Sequence, residues 1–115
     1  TDAGFTVTGT GQVMGTCDYM APEQAMDSRT ADHRADIYSL GAMLYHLATG
    51  HMPFEGKQPE EIMDLQVTGH LNDPIDLNPK LSRGICGLIE KMMWKTPDGR
   101  HGSWESVATA DVSEL

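Results

Sequence analysis

The chain has 115 residues, 39% of them hydrophobic, which is enough to bury one modest core, so a disordered chain is not expected. Its 17 acidic and 8 basic residues give a net charge of −9, and the basic residues never cluster. We therefore expect no nucleic-acid partner, because binding to nucleic acid depends on clustered basic side chains.

Neither a membrane segment nor a disulfide is predicted. The longest uncharged apolar stretch, Ile37–Tyr45, has about half the length that a spanning helix needs, so we expect no membrane contact in this segment. The two cysteines, Cys17 and Cys86, lie far apart without paired spacing, which is typical of reduced thiols. A cytoplasmic location is therefore predicted.

The first part of the chain is predicted to be a loop followed by a short helix. β-Branched residues and glycine make up Thr6–Gly11 without helical periodicity, which indicates a loop over residues 1–16. A proline and then Glu23 stand at the start of Ala21–Ala25, where they favour the first turn of a helix. The polar residues 27–34 are interpreted as a connector.

Asp36–Thr49 is predicted to be a central helix. Apolar residues occupy one helical stripe (Ile37, Leu40, Gly41, Leu44, Leu47 and Ala48) and most of the opposite side (Tyr38, Ala42, Met43 and Tyr45). A helix that is apolar nearly all round is a buried helix. Gly50 is placed to end it.

Three weaker helices are predicted after the central one. Pro59 opens the first, Ser82 caps the second before Pro97, and Ser103 caps the last. A loop over residues 72–79 separates the first two. No strand pattern of useful length occurs, so the predicted fold class is all-α.

Several motifs, in order along the chain, resemble one protein family. Met14–Gln24 reads MGTCDYMAPEQ and resembles the end of the activation segment of bacterial serine/threonine protein kinases. Asp36–Gly41 resembles the buried central helix of that family's C-lobe. Thr96–Arg100 resembles its D-P-x-x-R turn, with threonine in place of the first aspartate. The resemblance covers the whole chain.

The resemblance implies a partial kinase C-lobe, with the end of the activation segment followed by about four to five helices around a buried central helix. The resemblance divides the chain into an activation-segment loop over residues 1–20 and a helical part over residues 21–115. It implies an ion pair between Glu23 and Arg100, and it implies that Asp36 anchors the catalytic loop from the central helix, where the carboxylate can accept backbone N–H bonds.

Two further sets of residues take roles from the resemblance. A pocket for the substrate residue after the phosphoacceptor is implied for Gly15, Thr16, Cys17, Asp18 and Tyr19. Thr8 and Thr10 fall where these kinases carry activating phosphothreonines, which order the loop by pairing with arginine. The partner implied for the complete kinase is a protein substrate.

The catalytic motifs of the family are missing from the sequence. It contains no glycine-rich loop, strand lysine, helix glutamate, H-R-D-x-x-x-x-N loop or D-F-G motif. His33–Asp36 resembles H-R-D, but one residue is inserted and Asp36 belongs to the central helix. Asp2–Gly4 resembles D-F-G but lies too close to the later motifs. We expect no catalytic residue and no bound cofactor in this chain, with ATP and Mg²⁺ bound elsewhere in a complete kinase.

Three interpretations of function follow. In the first, the chain is a fragment of a kinase that phosphorylates protein serine or threonine, and it is inactive alone. The alternatives are a stand-alone docking module and a truncated relic without function.

Two further expectations concern metal binding and association. The five histidines lack paired ligand spacing, so no metal site is expected. Because the side of the central helix with Tyr38, Ala42, Met43 and Tyr45 is expected to lack cover, the isolated chain is predicted to form a homodimer or higher oligomer.

Overall fold

The structure, a computed structural model, describes residues 17–56 and 58–110. Within these ranges α1 spans Pro22–Asp27, α2 spans His33–Thr49, α3 spans Pro59–Thr68, α4 spans Pro74–Leu77, α5 spans Arg83–Met92 and α6 spans Trp104–Ala108. Two 3-10 turns, Ser28–Thr30 and Pro97–Gly99, follow α1 and α5. The described residues include no strand, and the predicted all-α fold class is confirmed.

The central helix α2 is the longest element described, with 17 residues. It begins at His33, three residues before the predicted start, because the side chain of Asp32 accepts a hydrogen bond from the backbone N–H of Arg34 and caps the helix. Gly50 ends it as predicted. Its φ of 78° is left-handed, and its N–H donates to the carbonyl of His46 at 2.8 Å.

The core lies between α2 and the helices packed on it. α5 and α4 contact α2, while α3 contacts α1. The central cluster of buried side chains consists of Ala21, Ala35, Tyr38, Ala42, Tyr45, Ile89 and Met93. Gly41 lets α2 and α5 approach closely, because a Cβ atom at this position would lie 2.7 Å from the Cβ of Met92.

The prediction of an uncovered side of the central helix was wrong for three of its four residues. Tyr38, Ala42 and Tyr45 are buried, and the Tyr45 hydroxyl donates to the carbonyl of Asn72 at 2.9 Å. These side chains point towards the core because α5 and the segment before α4 cover that side. Met43, the fourth residue of that predicted set, is 45% exposed, and the other exposed large apolar side chain of α2 is Leu47, at 75%, from the opposite predicted stripe.

The remaining helices mostly begin where the sequence predicts. Ser82 caps α5 by accepting from the N–H of Ile85, and Ser103 caps α6 in the same way. The short helix α4 lies inside the predicted loop and was not predicted; Pro74 is its first residue. Residues 111–115, which belong to the helical part predicted over residues 21–115, lie outside the described residues. Within the part of the chain that is described, no helix is long and apolar enough to cross a membrane.

Candidate substrate pocket and its supports

Cys17, Asp18 and Tyr19 are the predicted pocket residues that the structure describes. These three residues, called the pocket segment below, form a short turn before α1, and Cys17 is fully buried. The Tyr19 hydroxyl shares a hydrogen bond of 3.0 Å with Nδ1 of His46 on α2. The Tyr19 carbonyl accepts a hydrogen bond of 2.7 Å from the hydroxyl of Ser39, also on α2. The central helix therefore holds this segment through both a side chain and the backbone.

The other residues implied by the resemblance at this end of the chain lie outside the described residues. They are the pocket residues Gly15 and Thr16 and the candidate phosphorylation sites Thr8 and Thr10. Their assignments stay predictions.

Burial shapes the electrostatics of the pocket segment. It raises the pKa of the Asp18 carboxyl group, and the nearby charge of His46 opposes that shift. Burial also raises the pKa of the Cys17 thiol, and the carboxylates of Asp18 and Glu60 add to the effect. Cys17 is therefore held as a neutral thiol, which suits a packing role rather than nucleophilic chemistry.

Glu23 and Arg100 lie in direct contact. Two nitrogens of the Arg100 guanidinium donate to the two carboxylate oxygens of Glu23 at 2.7 and 2.8 Å. The side chain of Arg100 is 0% exposed and that of Glu23 is 8% exposed. The other guanidinium hydrogens go to three backbone carbonyls, those of Arg34, Trp94 and Lys95. All five donors of Arg100 are thus used. The pair connects the start of α1 to the turn before α6.

Asp36 lies in the first turns of α2 with an exposed side chain. Asp36 does not cap this helix, because Asp32 supplies the cap. The anchoring of a catalytic loop by Asp36 stays a prediction. Asp32 also forms an ion pair with Arg34, which reaches Asp98 at 2.9 Å as well. The carboxylate of Asp36 is therefore left on the surface of the helix, where it is accessible to another segment.

The described residues include no cluster of side chains of the kind that holds a metal ion. Among them, no three His, Cys, Asp or Glu side chains come close enough together to hold a metal ion. Of the H-R-D-like and D-F-G-like sequences, His33–Asp36 forms the first turn of α2, and Asp2–Gly4 lies outside the described residues.

Three supporting side chains were not singled out from the sequence: Ser39, His46 and Gln66. Gln66 had the clearest signal. Gln66 follows Ile62 by four positions, so the two share the buried face of α3, and a polar residue on such a face needs hydrogen-bond partners. The signals for Ser39 and His46 are weaker, since each is one polar residue on a mostly apolar helix. Their partners lie 20 and 27 residues away in the sequence.

The comparison with known protein families shows which family the chain belongs to. A sequence profile of the protein kinase domain matches residues 3–111. The chain belongs to the protein kinase family. The resemblance of its motifs to a kinase C-lobe is thereby confirmed.

Similar curated proteins are bacterial serine/threonine-protein kinases. The chain is 36% identical over 96 residues to a probable serine/threonine-protein kinase of Clostridium perfringens, covering 84% of this chain and 14% of that one. It is 37% identical over 98 residues to PksC of Streptomyces coelicolor, covering 85% and 17%. It is 36% identical over 100 residues to PknB of Mycobacterium tuberculosis, covering 87% and 16%. The chain thus spans 14–17% of the length of these relatives.

The fold also matches a solved kinase structure. The twitchin kinase region from C. elegans superposes with a TM-score of 0.77 over 86% of this chain and 17% of that one, at 22% sequence identity. At this identity the likeness concerns the fold alone. It agrees with an all-α portion of a kinase C-lobe.

Proposed function

We propose that this chain is the substrate-binding side of a serine/threonine protein kinase domain and that it transfers no phosphate by itself. In the complete kinase, the segment ending at Tyr19 receives the substrate residue that follows the phosphoacceptor. The transferred group is the γ-phosphoryl group of ATP, and the acceptor is a serine or threonine hydroxyl of a protein. The role of this chain is positioning, which supplies much of the catalysis in phosphoryl transfer.

The observation that carries the proposal is the way the pocket segment is held. α2 holds Tyr19 through Ser39 and His46, and the buried Glu23–Arg100 pair fixes α1 immediately after it. A substrate pocket must keep its shape while a protein chain binds and leaves. A segment with ordered supports on two sides is suited to that task.

ATP and Mg²⁺ are assigned to the rest of the complete kinase. This assignment is supported by the sequence, which contains none of the family's motifs that cradle phosphates or hold the metal. The relatives, which are about six times longer, have room for those parts.

The exposed side of α2 supports the same proposal. Asp36, Leu40, Met43 and Leu47 recur at spacings of four, three and four residues, so they share one face of the helix. Met43 and Leu47 are exposed there. In the complete kinase this face is the place for the catalytic loop and its neighbouring helix, with Asp36 as the anchor for the loop backbone.

The proposal includes a cytoplasmic location and a protein partner. Cys17 and Cys86 are both unpaired, as expected for a protein from a reducing compartment.

The test is a chimera. In the Clostridium perfringens relative, the segment of about 96 residues that aligns with this chain is replaced by this chain. We expect the chimera to transfer labelled phosphate from ATP to a protein substrate and the 115-residue chain alone to transfer none. Transfer by the isolated chain above a no-protein control would contradict the proposal. A folded but inactive chimera would contradict it too, and would favour a stand-alone docking module.

A further inference from the structure

Gln66 joins three parts of the molecule. It lies near the end of α3 and is fully buried. Its side-chain nitrogen donates to the carbonyls of Cys17 and Asp18 at 2.9 and 3.0 Å. Its side-chain oxygen accepts a hydrogen bond from the hydroxyl of Tyr38 on α2. Both amide hydrogens and the amide oxygen are therefore used, which fixes the orientation of the side chain.

The two carbonyls held by Gln66 belong to the pocket segment itself. The Cys17 carbonyl has one other bond, a long one of 3.4 Å from the N–H of Met20. A buried carbonyl without a donor is costly, so the segment is most stable where both carbonyls meet the Gln66 amide. Ser39 and His46 hold Tyr19 from α2, and Gln66 holds the preceding two residues from α3.

Lys95 in turn holds the part of α3 that carries Gln66. Its ammonium group donates to the carbonyls of Leu65 and Gln66 at 3.1 and 2.7 Å and lies 4.4 Å from the centre of the Phe54 ring. Burial, with a smaller effect from Arg100, lowers the pKa of Lys95 to about 8. A cation at the C-terminal end of a helix also interacts favourably with the helix dipole.

The contacts form a continuous path. Arg100 binds Glu23 through its side chain and donates to the carbonyl of Lys95 at 3.2 Å. Lys95 binds the backbone of Gln66, and Gln66 binds the backbone of the pocket segment. The helix after the pocket and the pocket itself therefore depend on the same framework.

We propose that Gln66 is a positioning residue for the substrate pocket: its amide group sets the backbone of Cys17 and Asp18 from α3. The role in substrate binding rests on the proposed function, whereas the control of the pocket backbone does not. A displacement of α3 withdraws both donors at once. The position of α3 thus controls the shape of the pocket.

The test compares the reactivity of the two buried thiols. Gln66→Met keeps a side chain of similar length but removes both donors. Each cysteine reports the opening of its own surroundings, Cys17 in the pocket segment and Cys86 on α5. In Gln66→Met we expect labelling of Cys17 by a maleimide to speed up by about tenfold, because two buried carbonyls lose a donor. Labelling of Cys86 is expected to stay unchanged. Gln58→Met, at an exposed position just before α3, is the control and should change neither rate.

Each result decides the proposal. Faster labelling of Cys17 alone supports it. Equal acceleration of both thiols would show a purely structural role and overturn it, as would unchanged labelling of Cys17.

A measurement on the unsubstituted chain remains decisive if Gln66→Met does not fold. By NMR, the side-chain amide hydrogens of Gln66 should exchange with solvent far more slowly than those of Gln58, and equal rates would overturn the proposal. Both experiments use the chain without ATP or substrate. Their outcome is therefore independent of the chimera, whose failure would remove the proposed function but leave the role of Gln66 in place.

Discussion

Arg100 donates two parallel hydrogen bonds to Glu23, which lies 77 residues earlier in the sequence. The guanidinium also stacks over Tyr38, with its central carbon 5.0 Å from the ring centre. A charged pair this deeply buried is tolerated because every donor of the arginine has an acceptor. The pair fixes α1, and with it the end of the pocket segment, to the turn before α6, near the C-terminal end of the described residues.

Removing Arg100 should destabilise the fold strongly. Arg100→Ala strands the Glu23 carboxylate in a buried position and leaves three backbone carbonyls without this donor. We expect the free energy of unfolding to fall by about 3–5 kcal/mol, measured by urea denaturation.

The control is Arg29→Ala. Arg29 forms an ion pair with Asp27, but its side chain is 88% exposed, so its loss should change the stability little. Similar unfolding midpoints for the two variants would contradict the assigned importance of the buried pair.

Gly41 and Gly87 offer a matched test of helix packing. A Cβ at Gly41 would lie 2.7 Å from the Cβ of Met92, whereas one at Gly87 on α5 would meet nothing within 4 Å. Gly41→Ala should therefore lower the free energy of unfolding, because overpacking of this kind costs about 1–3 kcal/mol. Gly87→Ala should raise it by about 0.5–1 kcal/mol through better helix propensity. Thermal melting distinguishes the two, and a melting temperature of Gly41→Ala at or above that of Gly87→Ala would show that α2 and α5 pack less closely.

The sequence predicts the ends of the helices best where a single residue at that position determines them. Gly50 ends α2 through a left-handed conformation, and Ser82 and Ser103 cap their helices with their own hydroxyl groups. The start of α2 was misplaced because its first turn is polar and the apolar stripe begins later. Asp32 was the available signal, since aspartate is a preferred cap.

Which side of α2 is covered could not be read from its periodicity. Both sides of the helix are apolar, so the pattern is compatible with either being buried. The decision depends on α5 and on the Asn72 carbonyl, which receives the Tyr45 hydroxyl. Contacts of this kind come from segments distant in the sequence.

The supports of the pocket show the same limit. The motif around Tyr19 indicates a pocket segment, but its partners Gln66 and His46 come from two other helices. A glutamine on a buried helix face indicates that its amide group forms hydrogen bonds, but it does not indicate which residues are the partners. Only the fold assigns them.

His101 makes the stability sensitive to acid. Its side chain is buried, its Nδ1 has no hydrogen-bond partner in the described part of the chain, and burial, with a smaller effect from Lys91, lowers its pKa below the ordinary 6.5. Below pH 6.5 the unfolded chain therefore binds a proton that the folded chain resists. Stability should be lost as the pH falls from about 6.5 through the folded pKa.

The substitution His101→Leu isolates this contribution. It should make the loss of stability between pH 7 and pH 5, measured by urea denaturation, smaller than in the unsubstituted chain. His70→Leu, at an exposed position, should leave the loss as it is. An identical pH dependence for the unsubstituted chain and His101→Leu would show that His101 is protonated freely in the folded state.

The exposed face of α2 leads to a prediction about association. Met43 and Leu47 are large apolar side chains on the face that the complete kinase is proposed to cover. Exposed apolar surface of this kind is commonly buried against another chain, so the isolated chain should form a homodimer or higher oligomer. Leu47→Glu places a charge at the most exposed of these positions and should shift the chain towards the monomer, measured by light scattering at micromolar concentration.

The control for association is Met26→Glu, which places the same charge on α1 at a methionine that is 66% exposed but lies off this face. It should leave the oligomer intact, because the surface proposed to associate is on α2. A single species of 12.6 kDa for the unsubstituted chain would contradict the prediction. Equal dissociation of the oligomer by both substitutions would instead show that the effect comes from added negative charge, since the chain already carries −9.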